Sequence, residues 1–95
     1  MRMHNPPHPG ELLRELWLEP LKLTITSVAE RLNVSRKAIS ELVNEHTALS
    51  TDMAIRLELA FGKSAESWLA HQTTYDLWQK QGDKKALNIE AFEVA

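Results

Sequence analysis

With 95 residues, 43% of them hydrophobic and 25% charged, the chain is long enough for one domain around one core and too apolar to be disordered throughout. It contains no Cys, which excludes a disulfide framework, a thiolate metal site and a thiol nucleophile, and fits a reducing cytoplasm. Its formal net charge of -2 is unlike the basic excess that draws a protein to phosphate, so any nucleic-acid contact must come from a local arrangement of Lys and Arg, doubled by pairing of two copies.

No apolar run approaches the ~20 residues that a membrane span needs. The opening MRMHNPPHPG lacks the apolar core of a signal peptide, so no membrane contact and a cytoplasmic location are expected. The same proline-rich composition predicts an irregular arm over residues 1–8. A first helix is expected after His8, with Pro9 at its first position and Glu11 near its positive end. Leu12, Leu13, Leu16 and Trp17 give it an apolar stripe, and Pro20 disfavours helical geometry at Glu19 and so ends it there. Leu21 and Leu23 then form a short apolar connection.

From Thr24 to Asn44 the sequence TITSVAERLNVSRKAISELVN predicts two short helices joined by a tight turn. Apolar residues recur at Ile25, Val28, Ala29 and Leu32, then at Val34, Ala38, Ile39, Leu42 and Val43, with the helical period broken once at Asn33 and Val34. Thr24 is an N-cap. Ala29 is small where two steeply crossing helices would touch, Asn33 tolerates the left-handed conformation that ends a helix, and Ser35 caps the next one.

Ser50, Thr51 and Asp52 open a fourth helix carrying Met53, Ala54, Leu57, Ala60 and Phe61 inward, with Arg56 and Glu58 facing outward and Gly62 closing it. Ser64 opens a fifth, AESWLAHQTTYDLWQKQ, running to about Gly82. The expected organisation is an arm over 1–8, a helical domain over 9–82 and a tail over 83–95. That tail, ending ALNIEAFEVA, alternates enough for a strand and is rich enough in Ala, Leu and Glu for a helix, and is left unassigned.

Once Ser35 caps the third helix, Arg36, Lys37, Ser40, Glu41 and Asn44 share the side opposite Ile39, Leu42 and Val43. These residue types read base edges: Arg and Lys donate to guanine, Asn can pair twice with adenine, and Glu or Ser can serve cytosine. Residues nearest the helix start reach deepest, which favours Arg36, Lys37 and Ser40. Thr24, Thr26 and Ser27 beside free backbone amides, Ser35 at the next helix start, and Thr47 and Ser50 beyond the third helix are the expected phosphate contacts.

Other chemistry finds no support in the sequence. His4, His8, His46 and His71 show no metal-binding spacing, Glu11 and Glu15 form a solvated face, and Gly10, Gly62 and Gly82 make no phosphate-cradling loop. No metal, no cofactor and no catalytic residue is therefore expected. Trp17, Phe61 and Trp68 are expected in the core, while Tyr75 and Trp78 are candidates for a dimer or partner interface.

Four segments taken in order, HPGELL (His8 to Leu13), VAERLNVSRKAISELVN (Val28 to Asn44), MAIRLELAFGKS (Met53 to Ser64) and ESWLAHQTTYDLW (Glu66 to Trp78), resemble the HigA family of antitoxins within the Xre, lambda-repressor-like helix-turn-helix group. The resemblance runs from His8 to about Gln79. It implies an all-α, five-helix DNA-binding domain that forms a homodimer, binds double-stranded DNA at its own operator, represses its own operon and neutralises a HigB-type toxin, an mRNA ribonuclease of the RelE-like group. Similar proteins carry Gly and then a basic residue after the Asn that ends the third helix, whereas this chain has Glu45 and His46 there. Two other readings stay open: an orphan Xre-type regulator without a toxin partner, and a toxin-masking module that no longer reads DNA.

Overall fold

The structure, a computed structural model, describes residues 5–93. Residues 1–4 of the expected arm, His4 among them, and residues 94 and 95 of the tail lie outside the described residues. Among the described residues there are five α-helices and no strand: α1 (Pro9–Leu13, continued by a π-helical turn at Arg14–Leu18), α2 (Ile25–Leu32), α3 (Arg36–Val43), α4 (Thr51–Phe61) and α5 (Ala65–Lys80). A 3-10 turn follows at Gln81–Asp83.

Each helix start has a local cause. The Nδ1 of His8 accepts the Gly10 N–H at 2.9 Å, so an imidazole serves as N-cap, with Pro9 behind it. Thr24 and Ser27 form a reciprocal capping box at α2, while Ser35, Ser50 and Ser64 each accept the N–H three residues on, at 3.0 to 3.1 Å.

The helix ends share a device that the sequence marks only once. In the Schellman motif the N–H two residues past the cap bonds back to the carbonyl five residues earlier and its predecessor closes an inner bond, with the residue between left-handed. Asn33 (φ 58°) fits it after α2, with Val34 N–H on the Ala29 carbonyl and Asn33 N–H on that of Glu30. Lys22 (φ 55°) does the same after α1, and Glu45 (φ 62°) after α3, where His46 N–H reaches the Glu41 carbonyl at 2.8 Å. Gly62 (φ 86°) ends α4, as expected.

The core joins all five helices through Leu13, Leu18, Ile39, Leu42, Leu57 and Trp68, among others. Trp17 leans against both Phe61 (5.6 Å between centroids) and Trp68 (5.3 Å). Gly10 has a packing role: a Cβ there would run into the Leu42 carbonyl, so only glycine lets α1 seat on the last turn of α3.

Several expectations are corrected. The second turn of α1 is π-helical, with the Glu19 N–H on the Arg14 carbonyl, and this extra residue per turn brings Leu18 inward and leaves Leu16, expected in the apolar stripe, 56% exposed. Glu19 keeps right-handed helical geometry despite Pro20, and the chain turns only at Lys22. Leu21 is exposed. Arg56 and Glu58 do not simply face outward: Arg56 Nη1 donates to the carbonyls of Leu32 (2.7 Å) and Asn33 (3.2 Å), and Glu58 accepts the Ala65 N–H at the start of α5. After the 3-10 turn the tail makes turns over 84–87 and is irregular over 88–93, neither helix nor strand.

Candidate nucleic-acid interface

The buried side of α3 is fixed by Ile39, Leu42 and Val43, all at most 4% exposed. That leaves Arg36, Lys37 and Asn44 exposed and Ser40 and Glu41 half-buried on the other side, so the five expected base-reading residues do lie together. They are not equally free. Lys37 pairs with Glu41 at 3.8 Å and Asn44 donates to Ser40 at 3.3 Å, whereas Arg36 makes no side-chain hydrogen bond or ion pair among the described residues. The Lys37–Glu41 pair is exposed and therefore weak, a few tenths of a kcal/mol at ~0.3–0.5. It holds neither side chain firmly.

The expected phosphate residues divide by where their hydroxyl protons go. Thr24, Ser35 and Ser50 accept a backbone N–H through oxygen, which leaves the O–H proton to donate outward. Thr26 and Thr47 are exposed at the start of α2 and in the α3–α4 loop. Ser27 differs, because its hydroxyl accepts the Thr24 N–H at 3.1 Å and donates to the Thr24 carbonyl at 2.9 Å. Its proton is committed within the box.

Three long-range clamps that sequence reasoning missed hold this surface. Arg14 Nη1 donates to the Val43 carbonyl at 3.2 Å and so fixes the end of α3, Arg56 fixes the end of α2, and the buried Gln72 accepts the Leu49 N–H at 2.8 Å to tie the α3–α4 loop to α5. Gln72 is itself steered by Asp76, at 2.8 Å. No local signal marks these residues, whose partners lie 29, 24 and 23 positions away. Together they present α2 and α3 as one rigid unit.

The two candidate interface residues on α5 each keep part of their surface open. Tyr75 is half-buried, with its ring edge-on to His8 at 4.9 Å, and Trp78 is half-buried too. Near them, at the end of α5 and in the tail, Leu77 (43%), Leu87 (63%), Ile89 (79%) and Phe92 (93%) are exposed, as are Ile55 and Leu59 on α4. Leu77 and Leu87 border an open cavity of about 390 Å³ with Lys80, Asp83 and Lys84. The alternating apolar residues of the tail were the signal for this surface.

His71, half-buried on α5, has its pKa lowered by burial and, secondarily, by Lys63. Among the described residues no group of His, Asp and Glu is placed to hold a metal ion, and no helix is long and apolar enough to cross a membrane.

Residues 13–68 match the family model described as Helix-turn-helix. The chain is 51% identical over 77 residues to virulence-associated protein A of Dichelobacter nodosus, covering 80% of this chain and 76% of that one. Among solved structures it is similar to the Pseudomonas aeruginosa antitoxin HigA with the higBA promoter (TM-score 0.84, 33% identity, 95% and 99% of the two chains). It is likewise similar to PA4674 of Pseudomonas aeruginosa in complex with its operator DNA (TM-score 0.87, 33% identity, 97% and 100%).

Proposed function

This chain belongs to the helix-turn-helix family, among its HigA-type antitoxins, and on that premise we propose that it reads its own operator as a homodimer, represses its own operon and neutralises a HigB-type ribonuclease toxin in the cytoplasm. As a member of a family of regulators it is not an enzyme. The observation that carries the reading is the clamped α3, on whose first turn Arg36 stands in an exposed polar stripe with its guanidinium uncommitted among the described residues. In this reading α3 enters the major groove by its N-terminal end, Arg36 and Lys37 reach guanine edges, and Ser40, Glu41 and Asn44 read further along.

Thr24, Thr26, Ser35, Thr47 and Ser50 would set the register on phosphate, with Ser27 helping only by shaping the start of α2. Pairing answers the shortage of positive charge, because two half-sites double every contact. The exposed Leu87, Ile89 and Phe92 supply apolar area for that pairing more readily than Tyr75, which is engaged with His8. Solved relatives bound to a promoter and to an operator support the DNA reading.

The test is footprinting on the DNA upstream of the chain's own gene. Arg36→Ala with Lys37→Ala is expected to weaken binding by about 1–3 kcal/mol for each base-reading side chain removed, and unchanged protection would refute the site. A second reading, a module that masks a toxin without reading DNA, is favoured by Glu45 just beyond α3. It would be selected by co-purification with the neighbouring gene product in the absence of any salt-dependent DNA affinity.

A further inference from the structure

Beside the reading stripe an open cavity of about 470 Å³ lies between the α1–α2 turn, the start of α2 and the last turn of α3, lined in part by Arg14, Glu19, Lys22, Ile25, Val43 and Asn44. We propose that this cavity is a seat for a backbone phosphate of the DNA, held by the ammonium of Lys22 next to the Arg14 guanidinium. The proposal rests on the DNA-reading function and adds to it a contact outside both helices of the helix-turn-helix.

The charge of the cavity favours an anion. Two cations line it against one carboxylate, that of Glu19. Arg14 is held in place by its bond to the Val43 carbonyl, and its ion pair with Glu15, long at 3.9 Å and partly exposed to solvent, offsets its charge only in part. Lys22 is exposed and makes no ion pair among the described residues, which leaves its three donors for an anion.

Its position favours a phosphate of DNA. The cavity is continuous with the reading stripe through Asn44, and it adjoins Ile25 at the start of α2, where free backbone amides and the positive end of the helix dipole face outward. A phosphate chain running along the groove that α3 occupies would pass this edge. Lys22 is also locked in place: its N–H bonds to the Glu19 carbonyl and the next N–H to that of Leu18 at 2.9 Å. Among the described residues five non-glycines have positive φ, three of them Asn, so Lys22 occupies a conformation that its own side chain does nothing to favour.

The experiment measures the affinity of the full chain for its upstream DNA and for an unrelated duplex across a range of salt, in wild type, Lys22→Gly and Glu19→Gln. Glycine suits the left-handed turn, so Lys22→Gly is expected to keep or raise the melting temperature while binding both duplexes roughly five- to tenfold more weakly at 0.1 M salt. Its salt slope should be smaller by about 0.9 for each protomer bound. Glu19→Gln is expected to bind both duplexes more tightly.

An unchanged slope in Lys22→Gly overturns the proposal, as does a loss confined to the upstream sequence. If the wild type binds neither duplex, the DNA-reading function falls and the phosphate seat falls with it. Wild-type binding with an unaltered Lys22→Gly removes the seat alone.

Discussion

The α1–α2 turn and the α3–α4 loop flank α3, the proposed reading helix, and both are closed by the same backbone device, a Schellman motif around a left-handed residue. Lys22 holds that place in one and Glu45 in the other. Since Gly would suit each backbone better by about 1 kcal/mol, neither side chain is there for the turn. The difference lies in charge. The Lys22 side joins Arg14 and a cavity beside α2, whereas the loop after α3 offers Glu45 and the hydroxyls of Thr47 and Ser50, with Arg56 drawn away to the end of α2. A single fold thus gives one edge with an unpaired lysine among the described residues and one that is neutral to acidic, and on the proposed reading the first is how a chain of net charge -2 would meet DNA.

The largest effect is expected in the scaffold that both sides share, where one substitution disturbs the two edges alike. Gly10→Ala places a Cβ against the Leu42 carbonyl and pushes α1 off α3, so a loss of about 3 kcal/mol is expected in chemical denaturation, with both edges displaced. Gln72→Leu acts on one side only. It leaves the buried Leu49 N–H without its acceptor and is expected to destabilise by about 1–3 kcal/mol, with hydrogen exchange rising in the α3–α4 loop before the α1–α2 turn.

Glu45→Gly sharpens the contrast directly. It relieves the left-handed turn and removes a negative charge, so unfolding should become harder by about 1 kcal/mol and DNA affinity should rise, opposite in sign to the affinity change at Lys22. The smallest effect lies away from both edges, at His71. Its folded pKa is lowered from 6.5 by burial and then by Lys63, so below 6.5 the unfolded chain binds more protons. The contribution is fully present above that pH and is lost as pH falls toward the lowered value. Stability of His71→Gln should show less of this decline between pH 7 and pH 5.

What was legible in the sequence is what three or four neighbouring residues decide. Thr24, Ser35, Ser50 and Ser64 cap helices because their oxygens reach the N–H three residues on, and Asn33 and Gly62 end helices because they tolerate positive φ. The polar stripe on α3 followed from its period. Features set by distant partners left no such trace: the clamps of Arg14, Arg56 and Gln72 depend on how the helices pack. The π turn that exchanges Leu16 for Leu18 is likewise a result of fitting α1 to the core. Lys22 and Glu45 carried no such signal because neither residue type favours a left-handed turn, and the cavity beside Lys22 exists only once α1, α2 and α3 have met.

The most direct measurement is the ratio of affinities for the chain's own upstream DNA and for a scrambled duplex of equal length and composition, in wild type and Arg36→Ala. The expected result is a wild-type preference of about a thousandfold or more, reduced about tenfold by Arg36→Ala while the salt slope of binding to the scrambled duplex stays close to that of the wild type. An Arg36→Ala protein that keeps the full preference would contradict the assignment of α3 as the reading helix.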